Sequence, residues 1–385
     1  MVFRIPSLAD CVASARAGFR AYLPGTDAWL WPNNVGPSAK VIGGSVWEVF
    51  NRLDYVQRAK FALTAQGPDL DAHGSEIGLA RKLALPASGN VVVTTAAAMT
   101  IAAGAQFQRL DGVVFTASTG GSATAAGTFS VVVVAAAAAL AGNTQAGTAL
   151  TIISGAGGVG AATATAAVDA NGLTGGLDPE PDGAPYTSDV STFRGRILFR
   201  KRNPFQGGAP ADYVSWATQV PGVTRVFVER LYNGAGTIRI FPMFDAIFAA
   251  TGGVADTAHV ALVQTAIAQY APGDAQILVQ APTAQPIAVT VQGLVPNSSV
   301  EQAAVEAELL DAFQRLGRVA GNDTATAAML AAMPFLATPF SFAALWCAQA
   351  VANAAGDNRG VMIAPTSDVT IATACVPTLG TVTFE

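Results

Sequence analysis

The first residues that could do chemistry in this sequence form a glycine-rich run. Gly155, Gly157 and Gly160 have the G-x-G-x-x-G spacing of loops that hold a dinucleotide phosphate at a helix N-terminus. Such a site also needs an amphipathic helix directly after the last glycine and an acidic residue on the next strand. The following residues, ATATAAVDANG over 162–172, provide neither. The pattern therefore favours a β-turn and predicts no cofactor.

An acidic group follows where a calcium loop would place its oxygen ligands. The segment LDPEPDG over 177–183 alternates acids with prolines, and Asp189 lies eleven positions after Asp178. The prolines stiffen the backbone, and the residues before the segment do not form a helical pattern. The pattern favours a capped, solvated linker, and we predict no bound metal.

Histidines and cysteines are few and scattered. His73 and His259 have no cysteines or carboxylates around them at metal-ligand spacing. Cys11, Cys347 and Cys375 are odd in number and far apart, which argues against a disulfide framework and for folding in a reducing cytosol. Spacing alone does not test a Cys–His pair, because such partners meet in space. No G-x-S-x-G, Walker A or H-E-x-x-H motif occurs, so we predict no enzyme and no catalytic residues.

Basic residues crowd one predicted helix. Phe193 and Phe199, the aromatic residues between them, are predicted on the core side of that helix. Cations near a helix C-terminus complement its dipole, and the net charge of -5 provides no overall basic field. These features argue against nucleic-acid binding. The basic residues are Arg194, Arg196, Arg200, Lys201 and Arg202.

The basic helix opens a segment over 189–241 that predicts two short helices, a turn and a β-hairpin. Asp189 is a candidate N-cap of the first helix, which must stop before Asn203-Pro204 because a residue before proline disfavours the helical region. Gly207-Gly208 gives a flexible link, and Asp212 is a candidate cap of the second helix. The later elements are a helix over 213–220, a turn at Pro221-Gly222, and strands over 223–231 and 237–241 around Asn233-Gly234.

Three amphipathic helices are predicted before this segment. The first carries Leu8, Val12, Ala15 and Phe19 on one side and ends at Pro24-Gly25. The second covers 46–63, where Val49, Phe50, Leu53, Val56 and Phe61 offer an apolar side, and the third covers 70–83.

The middle of the chain predicts a β-sandwich-like domain. Residues 112–168 contain no charged side chain and are rich in Thr, Val, Ala and Gly. An uncharged β surface favours assembly with neighbours, although residues 135–141 could also be helical by propensity. The apolar stretch over 129–140 is too short to span a membrane as a helix.

The last part of the chain predicts a second α/β unit. It opens with a strand over 287–294 and a helix to Arg318 that begins with a capping-box pattern at Ser298, after a helix over 257–270 and a strand over 276–280 that complete the first α/β unit. The uncharged stretch over 324–356 is interrupted by prolines, which favours a buried, broken helical pair over a membrane span. Short strands are predicted near 361–364, 368–374 and 379–384.

These patterns together predict a multidomain α+β fold. At 385 residues, with 51% hydrophobic and 12% charged residues, the chain suits several domains. The predicted divisions are an N-terminal helical segment over 1–85, a β-rich domain over 86–185, an α/β domain over 186–284 and a C-terminal α/β domain over 285–385.

Short motifs along most of the chain resemble, in the same order, those of the baseplate J-like family. The most specific block comprises Gly207-Gly208, Asp212-Tyr213, Trp216-Ala217 and 220–223 (VPGV). The supporting motifs lie at 67–71, 76–82, 87–91, 101–105, 111–116, 141–147, 172–176 and 379–384. The sequence departs from the family pattern near 129–139 and over 324–355.

This resemblance implies a structural subunit of the baseplate wedge of a contractile phage tail or a related injection system. Such subunits link hub, sheath and peripheral fibres, transmit the contraction trigger, dimerise, and bundle helices with a small tail-protein-I-like partner. The implied location is the tail baseplate of a virion, without nucleic-acid binding or membrane insertion. The structural and interface candidates are Gly207, Gly208, Asp212, Tyr213, Trp216, Pro221 and Gly222.

The uncharged middle of the chain leaves a second hypothesis open, a surface adhesin or carbohydrate-binding β protein. The two hypotheses differ in solution. A wedge subunit should copurify with a helical tail partner and form a dimer or larger species, whereas an adhesin should bind a glycan alone.

Overall fold

The computed structural model describes residues 5–25, 29, 33–187, 189–354 and 360–385. The fold is mixed α+β and divides into two units. One comprises residues 1–80 with 182–187, and the other comprises residues 81–181 with 188–385.

The smaller unit is a helical hairpin followed by a short helix. Helix α1 spans Leu8–Tyr22, α2 spans Val35–Ala59 and α3 spans Pro68–Ser75. The backbone N–H of Asp10 donates to the Ser7 hydroxyl, and the Ser7 N–H donates to the Asp10 carboxylate, so a capping box starts α1. Gly43 lets the two long helices approach, because a Cβ there would lie 2.7 Å from the Cα of Val12.

The first predicted helix is confirmed, but boundaries of the second and third were wrong. Helix α2 begins eleven residues before the predicted start at 46 and ends at Ala59. Helix α3 ends at Ser75 rather than 83, because the chain turns at Gly78, whose φ of 71° is in the left-handed region.

The β-rich part is a closed barrel and not the predicted sandwich. Its antiparallel strands run in the ring order β1-β5-β3-β2-β6-β7, and β4 adds to β2 outside the ring. Pairing of β2 with β3 closes the sheet, through Phe107 opposite Phe115. A closed sheet has no free edge strands, whereas each sheet of a sandwich would have had two. The strands are β1 Ser88–Thr95, β2 Met99–Gln108, β3 Val114–Ala117, β4 Gly121–Ala123, β5 Gly127–Ala135, β6 Ala149–Gly157 and β7 Thr165–Val168.

Side chains that alternate between inside and outside along the strands fill the barrel interior. Burial alternates along β5, where Val131 and Val133 are fully buried and Val132 between them is exposed. Valine-rich strands of this kind fill a narrow barrel with branched side chains. The stretch over 129–141 is therefore a strand followed by a bend and a 3₁₀ turn at Leu140–Gly142, and the helical alternative for 135–141 is wrong.

The glycine-rich run belongs to the barrel wall. Strand β6 contains Gly155 and Gly157, and a 3₁₀ turn at Val159–Ala162 contains Gly160. The next α-helix begins only at Phe193. A Cβ on Gly155 would lie 2.4 Å from the Cβ of Ala105, so this glycine permits close packing of neighbouring strands.

The central part is a three-stranded sheet with helices on it. Strand β9 pairs antiparallel with β8 and parallel with β10, and α6 makes the crossover between β9 and β10. The two helices, the Pro-Gly turn and the hairpin that the sequence predicted are confirmed in this order. The elements are α4 Phe193–Arg202, α5 Pro210–Ala217, β8 Arg225–Arg230, β9 Thr237–Met243, α6 Thr257–Ala268 and β10 Gln276–Val279.

The C-terminal part has a second sheet in the order β13-β11-β15 and a small pair of β12 with β14. Helix α7 buries Val305, Leu309 and Phe313, which recur at a spacing of four residues on one side of the helix. The Ser298 hydroxyl donates to the Glu301 carboxylate and caps no backbone N–H, so the predicted capping box does not form. The elements are β11 Thr283–Gln292, α7 Ser299–Leu316, α8 Ala327–Ala332, β12 Phe340–Phe342, α9 Ala344–Asn353, β13 Val361–Ala364, β14 Val369–Ile371 and β15 Cys375–Phe384.

The uncharged C-terminal stretch forms two short helices, α8 and α9, with strand β12 between them. This agrees with a broken helical pair and adds a strand to it, while the predicted residues 355–356 lie outside the described residues. Across the ranges that the structure describes, the helices lack the combined length and apolar character of a membrane span.

Contacts cross the predicted boundary at 284/285. The N–H of Val228 on β8 donates to the carbonyl of Phe335 at 2.9 Å, and the N–H of Ala337 donates back to Val228 at 2.8 Å. Phe227, Phe241 and Val376 share one buried cluster. The sheet of the central part is thus extended by a segment from the C-terminal part, and the division into four domains stays a prediction.

Candidate functional site

The Gly207-Gly208 loop wraps around a buried carboxylate. The backbone N–H groups of Gln206, Gly208 and Ala209 donate to Asp212 at 3.1, 2.8 and 3.1 Å. Asp212 is only 1% exposed, so these donors replace the water that a carboxylate needs. Asp212 therefore fixes the loop that enters α5.

The predicted helix N-cap at Asp212 was wrong, because Ala209 is the N-cap and Asp212 instead accepts the N–H groups of the loop before the helix. Helix α5 begins at Pro210, three residues before the predicted start, and Asp212 lies inside its first turn. Proline suits this first position because its missing N–H would have had no partner there. The N–H of Ala209 donates to the Asp212 carboxylate. Ala209 has no polar side chain that could accept a backbone N–H, so only one of the two hydrogen bonds of a capping box forms.

Both glycines of the loop have backbone angles that other residues rarely adopt. The φ angles of Gly207 and Gly208 are 77° and 120°. A Cβ on Gly208 would also lie 3.0 Å from the ring of Pro272 and 3.5 Å from the Tyr213 hydroxyl. Glycine is needed here both for the turn and for close packing.

An aromatic cluster follows on α5. Trp216 is 4% exposed, and its ring lies 5.1 Å from Tyr213, 5.8 Å from Phe205 and 6.1 Å from Tyr270 between centroids. Edge-to-face and stacked rings at these distances stabilise beyond the area that they bury. Burial, and then the charges of Asp212 and Asp274, raise the pKa of Tyr213 above its ordinary value.

Five of the seven predicted site residues therefore meet in one place, and the other two form a separate turn. Pro221 and Gly222 lie between α5 and β8, and the φ of Gly222 is 86°. The N–H of Val223 closes the turn on the carbonyl of Val220 at 3.3 Å. The local roles in the loop, the aromatic cluster and the turn are visible in the fold, and an interface role for these residues stays a prediction.

The Pro-Gly turn is tied to a buried ion pair that the sequence did not predict. Arg196 on α4 and Glu180 lie 2.6 Å apart and are 4% and 6% exposed. Lys82 donates its backbone N–H to Glu180 at 3.0 Å and its ammonium to the carbonyl of Val223 at 2.9 Å. The segment that leaves the barrel is thereby held against α4 and the turn.

Lys82 is strongly affected by this environment. Burial, and then the charge of Arg196, lower its pKa to about 8, while Glu180 acts in the opposite direction. Burial removes water that stabilises the charged ammonium, so the neutral amine becomes more favourable and the pKa falls.

The acids of the calcium-like segment point to three different partners. The Asp178 carboxylate accepts the N–H of Leu140 at 2.9 Å, Glu180 pairs with Arg196, and Asp182 accepts the N–H of Gly67 at 2.7 Å. In the part of the chain that the structure describes, no three His, Cys, Asp or Glu side chains gather as a metal site would require.

The basic run is not a single surface. Arg194 and Arg196 are 0% and 4% exposed, whereas Lys201 and Arg202 are exposed. The Arg200 guanidinium lies over the ring of Phe205, 3.3 Å from its centroid. Phe193 is buried as predicted. The predicted helix N-cap at Asp189 was wrong, since the Thr192 hydroxyl accepts the N–H of Gly195 and α4 starts at Phe193.

Arginine–carboxylate pairs also hold the central sheet to the loop over 317–323, and sequence reasoning missed them. Arg230 donates two hydrogen bonds to Asp323, at 2.7 and 2.8 Å. Although burial acts to raise it, the hydrogen bonds from Arg230 keep the pKa of Asp323 below its ordinary value. Two further pairs are Arg225–Asp245 and Arg239–Glu229. Only the cross-strand register of β8 and β9, which places Glu229 opposite Arg239, could have signalled one of them.

The helical hairpin presents a different kind of surface. Among the 25 residues of α2, all of them described, only Ala39 and Gly43 are buried. Large apolar side chains along the helix are 42–59% exposed and recur at spacings of four and three residues. We call this row the α2 seam. It comprises Ile42, Val46, Val49, Leu53 and Val56.

Comparison with solved structures finds a chain of the cryo-EM structure of the anti-feeding prophage (AFP) baseplate, 6-fold symmetrised. The alignment covers 77% of each chain at 12% identity with a TM-score of 0.37. A TM-score this low does not establish a shared fold.

Comparison with known sequences is more specific. The chain is 30% identical over 245 residues to the baseplate protein gp47 of Escherichia phage Mu. This alignment covers 64% of this chain and 65% of that relative. It is also 30% identical over 240 residues to the Mu-like prophage FluMu protein gp47 of Haemophilus influenzae, which covers 62% of this chain and 63% of that relative. Residues 205–281, from the Asp212 loop to β10, match the baseplate J-like central domain. These matches support a baseplate J-like family member, and the aligned regions span slightly less than two thirds of the length of either relative.

Proposed function

We propose that this chain is a structural subunit of a phage tail baseplate. Support comes from the match to the baseplate J-like central domain and from the relative in phage Mu, whose name describes it as a baseplate protein. The matched region contains the Asp212 loop, the aromatic cluster and the Pro-Gly turn, which are built from packing and capping contacts. The proposal assigns no catalysis and no cofactor to the chain.

The observation that carries the proposal is the α2 seam. Its spacing of four, three, four and three residues is the heptad pattern of helices that pack side by side. The seam side chains are 42–59% exposed, although burying one such side chain is worth about 1.5–3 kcal/mol. A helix with this seam is completed by the helices of another protein.

The finer role that we propose is that of a wedge subunit in a contractile tail. The seam would bundle with a small tail-protein-I-like partner and with a second copy of this chain. The hub or spike, sheath-proximal proteins and tail fibres would contact the rest of the chain, and rearrangement of these contacts would transmit the contraction trigger. Folding would take place in the cytoplasm of the bacterial host and assembly would place the chain in the virion tail.

Coexpression with the neighbouring tail proteins tests the proposal. We expect the chain to elute from a size-exclusion column in a complex with a small helical tail protein and to give wedge-shaped particles in negative stain. The double substitution Val49→Glu with Leu53→Glu should remove the complex, because two carboxylates in a helical seam cannot be buried without partners. Glu48→Gln, on the same helix and outside the seam, is the matched control and should keep the complex.

A different set of results would overturn the proposal. The chain would remain monomeric beside every tail protein, or the seam variant would assemble as well as the control. Binding of a glycan by the isolated chain would instead support the adhesin hypothesis.

A further inference from the structure

A cavity of about 400 Å³ lies beside the Asp212 loop. Pro210, Pro272 and Ile238 give it apolar walls, and Tyr213, Arg230 and Asp274 bring polar groups to it. It lies between α5, the β8–β9 hairpin and the loop that leads into β10. The cavity is large enough for one long side chain and a little of its backbone.

The Tyr213 hydroxyl at this cavity has no hydrogen-bond partner among the described residues. The side chain is 0% exposed, and the ring packs against Trp216. Tyr213 lines the cavity, so a group bound there can reach its hydroxyl. A ligand in the cavity would provide the missing partner.

The charges around the cavity favour a cation. The Asp274 carboxylate, which lines the cavity, forms no ion pair and accepts no hydrogen bond in the described part of the chain. The guanidinium of Arg230 is already neutralised by two hydrogen bonds to Asp323. The negative charges of Asp212 and Asp274 also act on the phenol, since both raise the pKa of Tyr213 after burial does.

We propose that this cavity binds an arginine or lysine side chain of a partner protein. The apolar stem would pack against the rings of Pro210 and Pro272, and the charged end would donate to the Tyr213 oxygen and the Asp274 carboxylate. Long basic side chains combine an apolar stem, which suits the proline walls, with several donors, which suit the Tyr213 oxygen and the Asp274 carboxylate.

Titration of the full chain with blocked peptides tests the proposal. The probes are acetyl-Gly-Arg-Gly-amide, its citrulline counterpart and agmatine, followed by calorimetry or by NMR. The arginine peptide should bind at least about tenfold more tightly than the citrulline peptide, because only the charged donor gains from Asp274. Equal affinity for the two peptides would overturn the proposal, and tighter binding of agmatine than of the peptide would overturn its assignment to a partner protein.

Two substitutions separate this site from a structural role. Tyr213→Phe should weaken the arginine peptide by about fivefold and Asp274→Asn by about tenfold, while both keep the thermal midpoint because neither group has a partner in the folded chain. Glu306→Gln, another exposed acid, is the control and should keep the affinity. Unchanged affinity in both site variants would overturn the proposal. The test uses the isolated chain, so its failure would leave the baseplate assignment standing.

Discussion

The central sheet and the N-terminal helical hairpin treat polar and apolar side chains in opposite ways. The central part buries charges in pairs, with Glu229 and Asp323 only 1% and 3% exposed. The hairpin leaves apolar side chains outside, with Val41 and Val49 at 70% and 59% exposure. The central part pairs its buried charges with partners in the same chain, whereas the hairpin leaves apolar side chains exposed that would stabilise it if they were buried.

The difference shows where each region obtains its stability. A buried arginine–carboxylate pair constrains both partners, because losing either one leaves an unpaired charge out of water. A two-helix hairpin buries too little surface to be firmly stable alone, and its stability comes from packing of the apolar side. The central part is therefore stabilised by its own contacts, whereas the hairpin needs a further apolar surface to cover its exposed side.

The largest expected effect tests the buried charge pairs, through Arg196 and Glu180. Arg196→Met should lower the free energy of unfolding by about 3–5 kcal/mol, because Glu180 would keep its charge in a buried place without a counterion. Chemical denaturation at pH 7 measures this. The control is Arg315→Met, which removes an exposed helix pair with Asp311 and should cost under about 0.5 kcal/mol. Equal losses in the two variants would contradict the comparison.

The next effect comes from Lys82 and depends on pH. Its folded pKa of about 8 is below the unfolded value, so between about pH 8 and 10.5 the unfolded chain binds more protons and stability rises with pH. From pH 7 to 10 the wild type should gain about 2 kcal/mol relative to Lys82→Met. The measurement is denaturation of both proteins across this range. A constant difference between them would show that Lys82 is well hydrated.

The local elements of the central part could be predicted from sequence because their signals are local. Pro204 marks the end of α4, and Pro221-Gly222 marks the turn. Even so, α4 begins at Phe193 with Thr192 as its cap, because several residues near Asp189 are acceptable caps and packing chooses among them.

The tertiary features could not be predicted in the same way. Arg194 is fully buried in a helix whose basic residues suggested a surface, since burial depends on which neighbours arrive from distant parts of the chain. Closure of the barrel depends on β2 pairing with β3, which an alternating pattern allows but does not require. At the candidate site, the glycines and Asp212 were recognisable, while Glu180 looked like part of a solvated linker.

A smaller effect tests the turn that joins α5 to β8. Gly222→Ala should cost about 1–2 kcal/mol, because the φ of 86° is strained for a side chain and the new Cβ would lie 2.5 Å from Ile247. Gly273→Ala is the matched control, since a Cβ at Gly273 would have no heavy atom within 4 Å. Thermal unfolding of both variants provides the comparison. A loss in Gly273→Ala as large as that in Gly222→Ala would mean that the cost arises outside the turn.

The smallest effect on the isolated chain is expected at the α2 seam, and it sharpens the contrast most. Val49 and Leu53 are 59% and 54% exposed, so replacing both with serine should change the free energy of unfolding by under about 0.5 kcal/mol. Val263→Ala, at a position with 0% exposure in the central core, removes buried contacts and should cost about 1–3 kcal/mol. Denaturant midpoints of the two variants give this ratio. A seam variant that unfolds as readily as Val263→Ala would show that the hairpin already uses these side chains, and it would then have no apolar surface left to offer a partner.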